Sequence, residues 1–201
     1  MKVYNYDREM MKIISENEKK GVKPTILLHA CCAPCSTSVI ERLKDNFIIT
    51  VFFYNPNMDS NEEYIHRLEE QKRLCEYHGI NLIEKGYDPS EFYSAVKGKE
   101  DEREGGLRCF ECYKLRLNKT AETAKEMGFD YFTTTLSVSP LKNAEMLNQK
   151  GFLAEQEFGV KFLPSDFKKR NGYVRSVELS NQFNMYRQNY CGCKFSKNKT
   201  P

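Results

Sequence analysis

The stretch TILLHACCAPCSTSVIERLK, residues 25–44, decides how the chain folds. Thr25–His29 is a short apolar run that predicts a strand. Ser36 or Thr37 offers an N-cap for a helix that runs to about Lys44. Three cysteines occupy the junction between the two elements, Cys31, Cys32 and Cys35. A strand that feeds directly into a helix is the repeating unit of α/β folds, so the junction predicts both an architecture and a place for chemistry.

The alternation of strands and helices continues from this stretch to Phe162. Further strands are predicted over residues 47–54, 80–87, 130–140 and 160–167. Further helices are predicted over residues 7–20, 61–77, 88–96, 108–127 and 141–159. This order predicts an α/β fold, a parallel sheet with helices on both faces of the HUP/Rossmann-like type. We expect a helical extension over residues 1–24 and a single α/β domain over residues 25–201, ending in a metal-binding C-terminal segment.

In a parallel sheet, reactive groups lie at the carboxyl ends of the strands. Three predicted loops meet there: HACCAPCS (29–36), YNPNMDS (54–60) and TLSVSP (135–140). The polar run from Thr133 to Ser139 could line a ligand cleft, but in the absence of other evidence ordinary strand and loop hydrogen bonding is the favoured explanation.

Seven of the eight cysteines fall in three groups, Cys31-Cys32-Ala-Pro-Cys35, Cys109-Phe-Glu-Cys112 and Cys191-Gly-Cys193. Cys75 lies within an amphipathic helix and is expected to be a buried apolar side chain. Thiol–disulfide exchange at Cys32 and Cys35 resembles thioredoxin chemistry, but it leaves four grouped cysteines unexplained. A structural zinc site explains more of them, and an iron–sulfur cluster held by separate loops explains them better.

The geometry of each cysteine group sets further expectations. Adjacent cysteines diverge in an extended chain, so Cys31 and Cys32 should not bind one small ion together. Cys109 and Cys112 are one helical turn apart and should face the same way. The CxC group could close a small, strained disulfide or donate two thiolates to a metal.

The residues before the CxC group, MYRQNY, offer two functions. Tyr186, Arg187 and Tyr190 could stack on an extruded base and bind its phosphate. Alternatively, the two tyrosines, four residues apart, form a packing stripe on a helix.

Charge and hydropathy restrict the possible partners. The net charge is +3, but residues 161–201 carry nine Lys/Arg and two Asp/Glu, a local +7, against −4 for the first 160 residues. A basic C-terminal quarter indicates a polyanionic partner or merely a solvated surface. No apolar run is long enough for a membrane span and the N-terminus has no signal-peptide core, so we expect a cytoplasmic protein without a membrane partner. In a reducing compartment, cysteines favour metal or redox roles.

Together, LLHACCAPCS, RCFECYKLRL and YRQNYCGCKFS resemble the cobalamin-independent epoxyqueuosine reductases, in the same order and over nearly the whole chain. The resemblance implies the last step of queuosine synthesis: two-electron removal of the epoxide oxygen from epoxyqueuosine in a tRNA anticodon. It also implies a 4Fe-4S cluster bound by Cys31, Cys32, Cys109 and Cys112, an additional iron, and a redox-active pair, Cys191 and Cys193. Cys35 is unassigned and could bind the second iron.

No glycine-rich dinucleotide fingerprint is present, so an external electron donor is expected. Two rival functions remain open from the residues alone. One is a thiol–disulfide oxidoreductase using Cys32 and Cys35, and the other is a zinc-dependent tRNA-binding module.

Overall fold

The computed structural model describes residues 4–197. Five parallel strands form one sheet, in the order β3-β2-β1-β4-β5. The strands are β1 (Thr25–His29), β2 (Ile48–Phe53), β3 (Asn81–Glu84), β4 (Tyr131–Thr134) and β5 (Lys161–Phe162). The helices are α1 (Tyr6–Lys19), α2 (Ala33–Leu43), α3 (Asn61–His78), α4 (Pro89–Val96), α5 (Leu107–Glu126), α6 (Ala144–Phe158), α7 (Gly172–Gln182) and α8 (Lys194–Lys197). A short 3-10 turn, Thr135–Val138, follows β4.

Alternating side chains of the central strands enter two separate layers of core, because successive residues of a strand face opposite sides of the sheet. Ile26 and Leu28 of β1 pack with apolar residues of α1, α2 and α3. Leu27 packs on the other side, with Leu117 of α5 and Ala154 of α6. The predicted α/β fold with helices on both faces is therefore confirmed.

Helix α1 belongs to the first of these core layers. Met10 and Ile14 are buried in the same cluster as β1 and α2. The segment before β1 therefore contributes to the core as well as preceding it. Across residues 4–197, every helix is either too short or too polar to traverse a lipid bilayer.

The helix boundaries follow from capping chemistry. Ser60 and Asp88 cap α3 and α4 through their side chains, as N-cap residues do. Helix α2 begins at Ala33, so the two predicted N-cap residues, Ser36 and Thr37, lie inside the helix and do not cap it. Cys32 is its N-cap residue and Pro34 lies in its first turn, where a missing N–H costs nothing.

The C-terminal region differs from the sequence analysis in two ways. Helix α7 was not predicted: it follows Asn171 in a left-handed conformation and has no side-chain cap or acidic first turn. The proposed helical stripe of Tyr186 and Tyr190 is wrong, since α7 ends at Gln182 and residues 185–190 are not helical. The segment that follows α7, residues 183–197, is called the C-terminal strap below.

The strand order creates one crevice at the carboxyl edge of the sheet. The chain leaves β1 towards β2 and β3, and then returns to β4 on the other side of β1. Loops that follow β1 and β4 therefore diverge and leave space between them, which is where ligands bind in open α/β sheets. The backbone N–H of Cys31 donates to Thr135 Oγ1 across this crevice, at 3.3 Å.

Candidate active site

A cavity of about 340 Å³ lies at this carboxyl edge and is called the edge cavity below. The loops after β1, β2 and β4, the first turns of α5 and the C-terminal strap all contribute to its wall. Six of the seven grouped cysteines line it: Cys31, Cys35, Cys109, Cys112, Cys191 and Cys193. The fold thus brings three groups that are distant in sequence into one site. Cys75, by contrast, is buried in the apolar core beside α2, as predicted.

The first cysteine group forms a compact set of sulfurs. The Sγ atoms of Cys31 and Cys32 are 3.7 Å apart, and those of Cys31, Cys32 and Cys35 all lie within 4.8 Å of one another. The expectation that the adjacent cysteines diverge is therefore wrong. The chain bends at Cys31 and turns into α2 immediately after Cys32, so it is not extended through the pair. These three sulfurs could hold a metal ion.

The second group lies at the start of α5, and both of its cysteines line the cavity as predicted. The backbone N–H of Gly105 donates to Cys109 Sγ at 3.2 Å. Arg116, one turn further along α5, has its Nη1 at 4.0 Å from Cys112 Sγ. Amide and guanidinium donors of this kind stabilise thiolates and tune the sulfur ligands of clusters.

The third group reaches the cavity through the strap. Gly192 has a φ of +95°, which lets the chain turn between the two cysteines. Cys191 Sγ lies 3.1 Å from Ser196 Oγ, whose hydroxyl also donates to the carbonyl of Cys193. The two cysteines are not bonded to each other, so the disulfide that the sequence suggested is not formed here. A hydrogen bond from Cys193, together with the charge of Lys142, lowers the pKa of Cys191 well below its ordinary value.

Four buried cations surround the sulfurs. They are Arg67, Arg108, Arg116 and Lys142, which all line the cavity and are each less than one-tenth exposed. Arg67 is paired with Glu63 at 2.6 Å and Lys142 with Glu104 at 3.2 Å. Burying a cation is costly unless negative charge compensates it, so this arrangement suits a site that holds several thiolates.

Arg116 also belongs to a polar network beneath the cysteines. Its guanidinium donates to Asn55 Oδ1 at 2.5 Å and to His29 Nε2 at 3.2 Å. His29 Nδ1 is 2.8 Å from Thr134 Oγ1 at the end of β4. Complete burial, and then the charge of Arg116, lower the pKa of His29 to about 3. His29 is therefore neutral at physiological pH and joins the ends of β1, β2 and β4 instead of exchanging protons.

Several buried polar atoms in residues of the cavity wall have no hydrogen-bond partner. Among the described residues, eight buried side-chain N and O atoms are unpartnered, and four of them belong to residues of the cavity wall. They are Asn57 Oδ1, Arg108 Nε, the hydroxyl of Tyr113, and Gln188 Oε1. Buried polar groups are nearly always satisfied, so this concentration indicates that the cavity accepts a polar ligand.

Of the three residues suggested for binding an extruded base, Arg187 and Tyr190 line the cavity and Tyr186 does not. Tyr186 does not line the cavity; its ring stacks on His66 with centroids 4.3 Å apart. Arg187 lines the cavity but donates to Ser176 O and Ser180 Oγ of α7. Tyr190 also lines the cavity. Its hydroxyl donates to Asp59, and the Arg67 guanidinium lies 5.3 Å from its ring centroid.

Much of the positive charge of the C-terminal quarter is locally paired. Lys168 pairs with Asp166, and Arg170 with Asp7 of α1. Carboxylates also pair with Arg175 and Lys197. The local charge of +7 therefore overstates the positive potential that this region presents to a partner.

Sequence reasoning missed the residues that support the cysteines. Asn57 lies in a loop that the carboxyl-edge argument had selected, so its position was available from the sequence. Arg67, Arg116 and Lys142 had no such signal, because a lysine or arginine on a helix or loop is normally solvated. The polar residues from Thr133 to Ser137 mainly bond to the protein itself, and of the polar run only Ser139 lines the cavity.

The chain is similar in sequence to proteins of known name. A family model described as "Epoxyqueuosine reductase QueH" matches residues 26–199. Curated proteins of the same name from Staphylococcus aureus and Streptococcus pyogenes are 42% and 44% identical, each aligned over 96% of this chain and over 83% and 78% of their own lengths. The Thermotoga maritima relative is 39% identical over 86% of this chain and 90% of its own.

Solved structures share the fold at low identity. A chain described as "predicted subunit of tRNA methyltransferase" from Methanocaldococcus jannaschii has a TM-score of 0.53, at 12% identity over 80% of this chain and 75% of its own. The U34-tRNA thiolase NcsA from Methanococcus maripaludis, solved with its 4Fe-4S cluster, has a TM-score of 0.51, at 10% identity over 96% and 73%. At these identities the likeness concerns the HUP/Rossmann-like fold alone.

Proposed function

The chain belongs to the epoxyqueuosine reductase QueH family, and we propose that the edge cavity is where epoxyqueuosine in tRNA loses its epoxide oxygen to become queuosine. The observation that carries this site is the convergence of all three cysteine groups on one cavity. Only their combination distinguishes a reductase centre from a lone thiol pair. The reaction is a two-electron reduction that belongs to queuosine biosynthesis.

The donor set of the cavity fits an iron–sulfur cluster. Thiolates from separate loops are the usual ligands of such clusters, and here buried cations compensate their charge. The ligands that we propose are Cys31, Cys32, Cys109 and Cys112. When bound, a 4Fe-4S cluster would supply electrons singly and an iron that polarises oxygen. Cys35, within 4.8 Å of Cys31 and Cys32, is the residue available to an additional iron.

The protein's own groups would hold and orient the substrate. Asn57 and Gln188 each offer an unpartnered amide oxygen to hydroxyl or ammonium groups. Tyr190 offers a ring at the cavity wall for an extruded base, and Arg187 lies beside it for a phosphate. The Arg116–His29–Asn55 network fixes the strand ends on which the first cysteine group is mounted.

Metal analysis tests the centre. Anaerobically purified protein should contain about four iron and four sulfide ions per cluster. A colourless zinc protein would instead favour the tRNA-binding module, and a metal-free active enzyme would favour thiol–disulfide exchange. Cys109→Ser should lose the visible charge-transfer absorption and the activity. Cys75→Ser, which removes a buried core thiol, is the matched control and should keep both. A full cluster in Cys109→Ser would show that the ligand set is wrong.

Cys191 and Cys193 are proposed as a redox-active pair beside the centre. Two thiols separated by one glycine can deliver two electrons by closing a disulfide, and an external donor would then reopen it. The double change to serine should leave a brown, folded protein that binds tRNA but does not convert epoxyqueuosine. Loss of the cluster in this variant would make the two cysteines metal ligands instead.

The strap and the region before it are proposed as the tRNA surface. Neutralising Lys168, Lys169 and Arg170 removes three charges, but only Lys169 lacks a carboxylate partner among the described residues. We therefore expect the slope of log binding constant against log salt to fall by about one rather than three. A free epoxy-nucleoside that reacts as well as the tRNA would count against an essential role for this surface.

A further inference from the structure

Lys142 occupies an unusual position in the cavity wall. It follows the loop after β4, and its side chain is only 8% exposed. Its ammonium contacts Glu104 at 3.2 Å, and Glu104 itself is 28% exposed. Lys142 therefore lies in the cavity wall, and its ion pair with the partly exposed Glu104 connects it to solvent.

The surroundings keep this lysine protonated. Burial alone would lower the pKa of Lys142, but negative charge on Cys191, Glu104 and Cys109 outweighs burial and raises it. These groups belong to the strap, to the loop before α5 and to α5. Tyr113 keeps its proton, because burial raises the pKa of its hydroxyl well above its ordinary value. The Tyr113 hydroxyl, buried beside it in the wall, has no partner.

Removing an epoxide oxygen requires protons as well as electrons. Two C–O bonds break, one C=C bond forms, and the oxygen leaves as water after taking up two electrons and two protons. An epoxide oxygen is a poor leaving group unless it is bound to a Lewis acid or protonated as the C–O bond breaks, and it must in either case gain two protons to leave as water. General acids placed within hydrogen-bond reach contribute about 10²- to 10⁴-fold to such steps.

We propose that Lys142 is the general acid that protonates the epoxide oxygen, with the Tyr113 hydroxyl as a second hydrogen-bond donor to that oxygen. This inference rests on the proposed function of the cavity. The Lys142 Nζ–H bond breaks and an O–H bond forms as the first C–O bond is cleaved. The neutral amine then regains a proton from solvent along Glu104, and the second proton follows by the same path. The two electrons would be supplied by the centre that the cysteines would hold, and an external donor would have to reduce it again.

Three substitutions separate proton donation from charge compensation. Lys142→Arg keeps the positive charge but cannot release a proton at physiological pH, and Lys142→Met removes both. Lys142→Arg should lower kcat by 10²-fold or more, while iron and sulfide content, visible absorption and tRNA affinity stay as in the natural protein, and Lys142→Met should lower kcat at least as far. Lys142→Ala should regain activity with added methylammonium, which can donate a proton, but not with tetramethylammonium, which carries the charge without one.

The pH profile provides an independent reading. The natural enzyme should show a flat kcat between about pH 6 and 9, because its acid stays charged there. Lys142→Met must take the proton directly from solvent, so its kcat should fall about tenfold for each pH unit. Lys150→Met is the matched control: Lys150 is also buried, with its Nζ 3.4 Å from the Phe110 ring centroid, and it does not line the cavity.

The failures of the two proposals are distinguishable. If the natural protein, loaded with its cluster, does not convert epoxyqueuosine in tRNA, the proposed function is wrong. If it converts the substrate and Lys142→Arg retains its kcat, charge alone suffices and this inference is overturned. A flat pH profile in Lys142→Met would overturn it as well.

Discussion

Replacing Gly192 by alanine should distort the turn that brings Cys191 and Cys193 to the cavity. The residue has a φ of +95°, which side chains with a Cβ rarely adopt. A Cβ built at this position would lie 2.4 Å from Met58 Sδ and 3.2 Å from Arg67 Nη1. Both neighbours are buried, so neither can move aside freely.

The magnitude follows from these two effects. A left-handed conformation costs a residue with a Cβ about 1–2 kcal/mol. Forcing a methyl group into a filled space costs about 1–3 kcal/mol. Gly192→Ala should therefore destabilise the strap by about 2–5 kcal/mol. Gly98→Ala is the matched control, since Gly98 has a φ of +76° and open space around its Cβ, and it should cost only the conformational part.

Urea denaturation and hydrogen exchange measure these costs. The strap can open without global unfolding, so the informative amide is that of Ser196, which bonds to the carbonyl of Cys193 at 2.9 Å. Its protection should fall further in Gly192→Ala than in Gly98→Ala. Adding Met58→Ala should restore part of the loss, as coupling between neighbours requires. If Gly192→Ala behaves like Gly98→Ala in both measurements, the steric reasoning is refuted.

Three further outcomes are expected. Burial raises the pKa of Asp7, but its ion pairs with Arg42 and Arg170 outweigh burial and hold the pKa below 3.8. Asp7→Asn should therefore cost about 2 kcal/mol in denaturation at pH 7, a difference that shrinks as the pH falls through the folded-state pKa of Asp7. Arg116→Met leaves Asn55 Oδ1 without its donor, which should lower the free energy of unfolding by about 2–3 kcal/mol. It should also lower the cluster occupancy found by metal analysis, and an unchanged melting curve would contradict this reasoning. Gly151→Ala should stabilise α6 by about 1 kcal/mol through its helix propensity. The protein should nevertheless melt at a lower temperature, because the new Cβ would lie 2.3 Å from the buried Phe162 ring.

The sequence predicted the sheet well because its strands are short apolar runs between clear capping signals. The bounds of β1 agree at both ends, and the predicted helices over residues 61–77 and 88–96 each begin within one residue of α3 and α4. Helix α7 was missed since Asn171, in a left-handed conformation without a side-chain cap, gives no recognisable start. Capping residues and apolar runs thus predicted most helices and strands. Helix α7 lacks such signals and depends on its packing against α2.

The candidate site was predictable only in part. Ligands bind at the carboxyl ends of parallel strands, and this rule correctly selected the loop that carries Cys31. The adjacent cysteines were expected to diverge, but their sulfurs are 3.7 Å apart, because a bend in the backbone cannot be read from residue types. Lys142 was unpredictable for a different reason. Its burial depends on Glu104 and on the strap, which are distant in sequence, and composition places a lysine at the surface by default.

The strap also gives the site an order of assembly. Every strand of the sheet precedes residue 183, whereas Cys191 and Cys193 follow it. During synthesis the sheet can therefore form while the cavity still lacks one wall, and a centre could enter from that open side. Docking of the strap, with Tyr190 and Lys197 both bonded to Asp59, would then close the wall over the centre. A chain truncated after residue 182 should accordingly exchange its centre with solution freely, and the full chain only slowly.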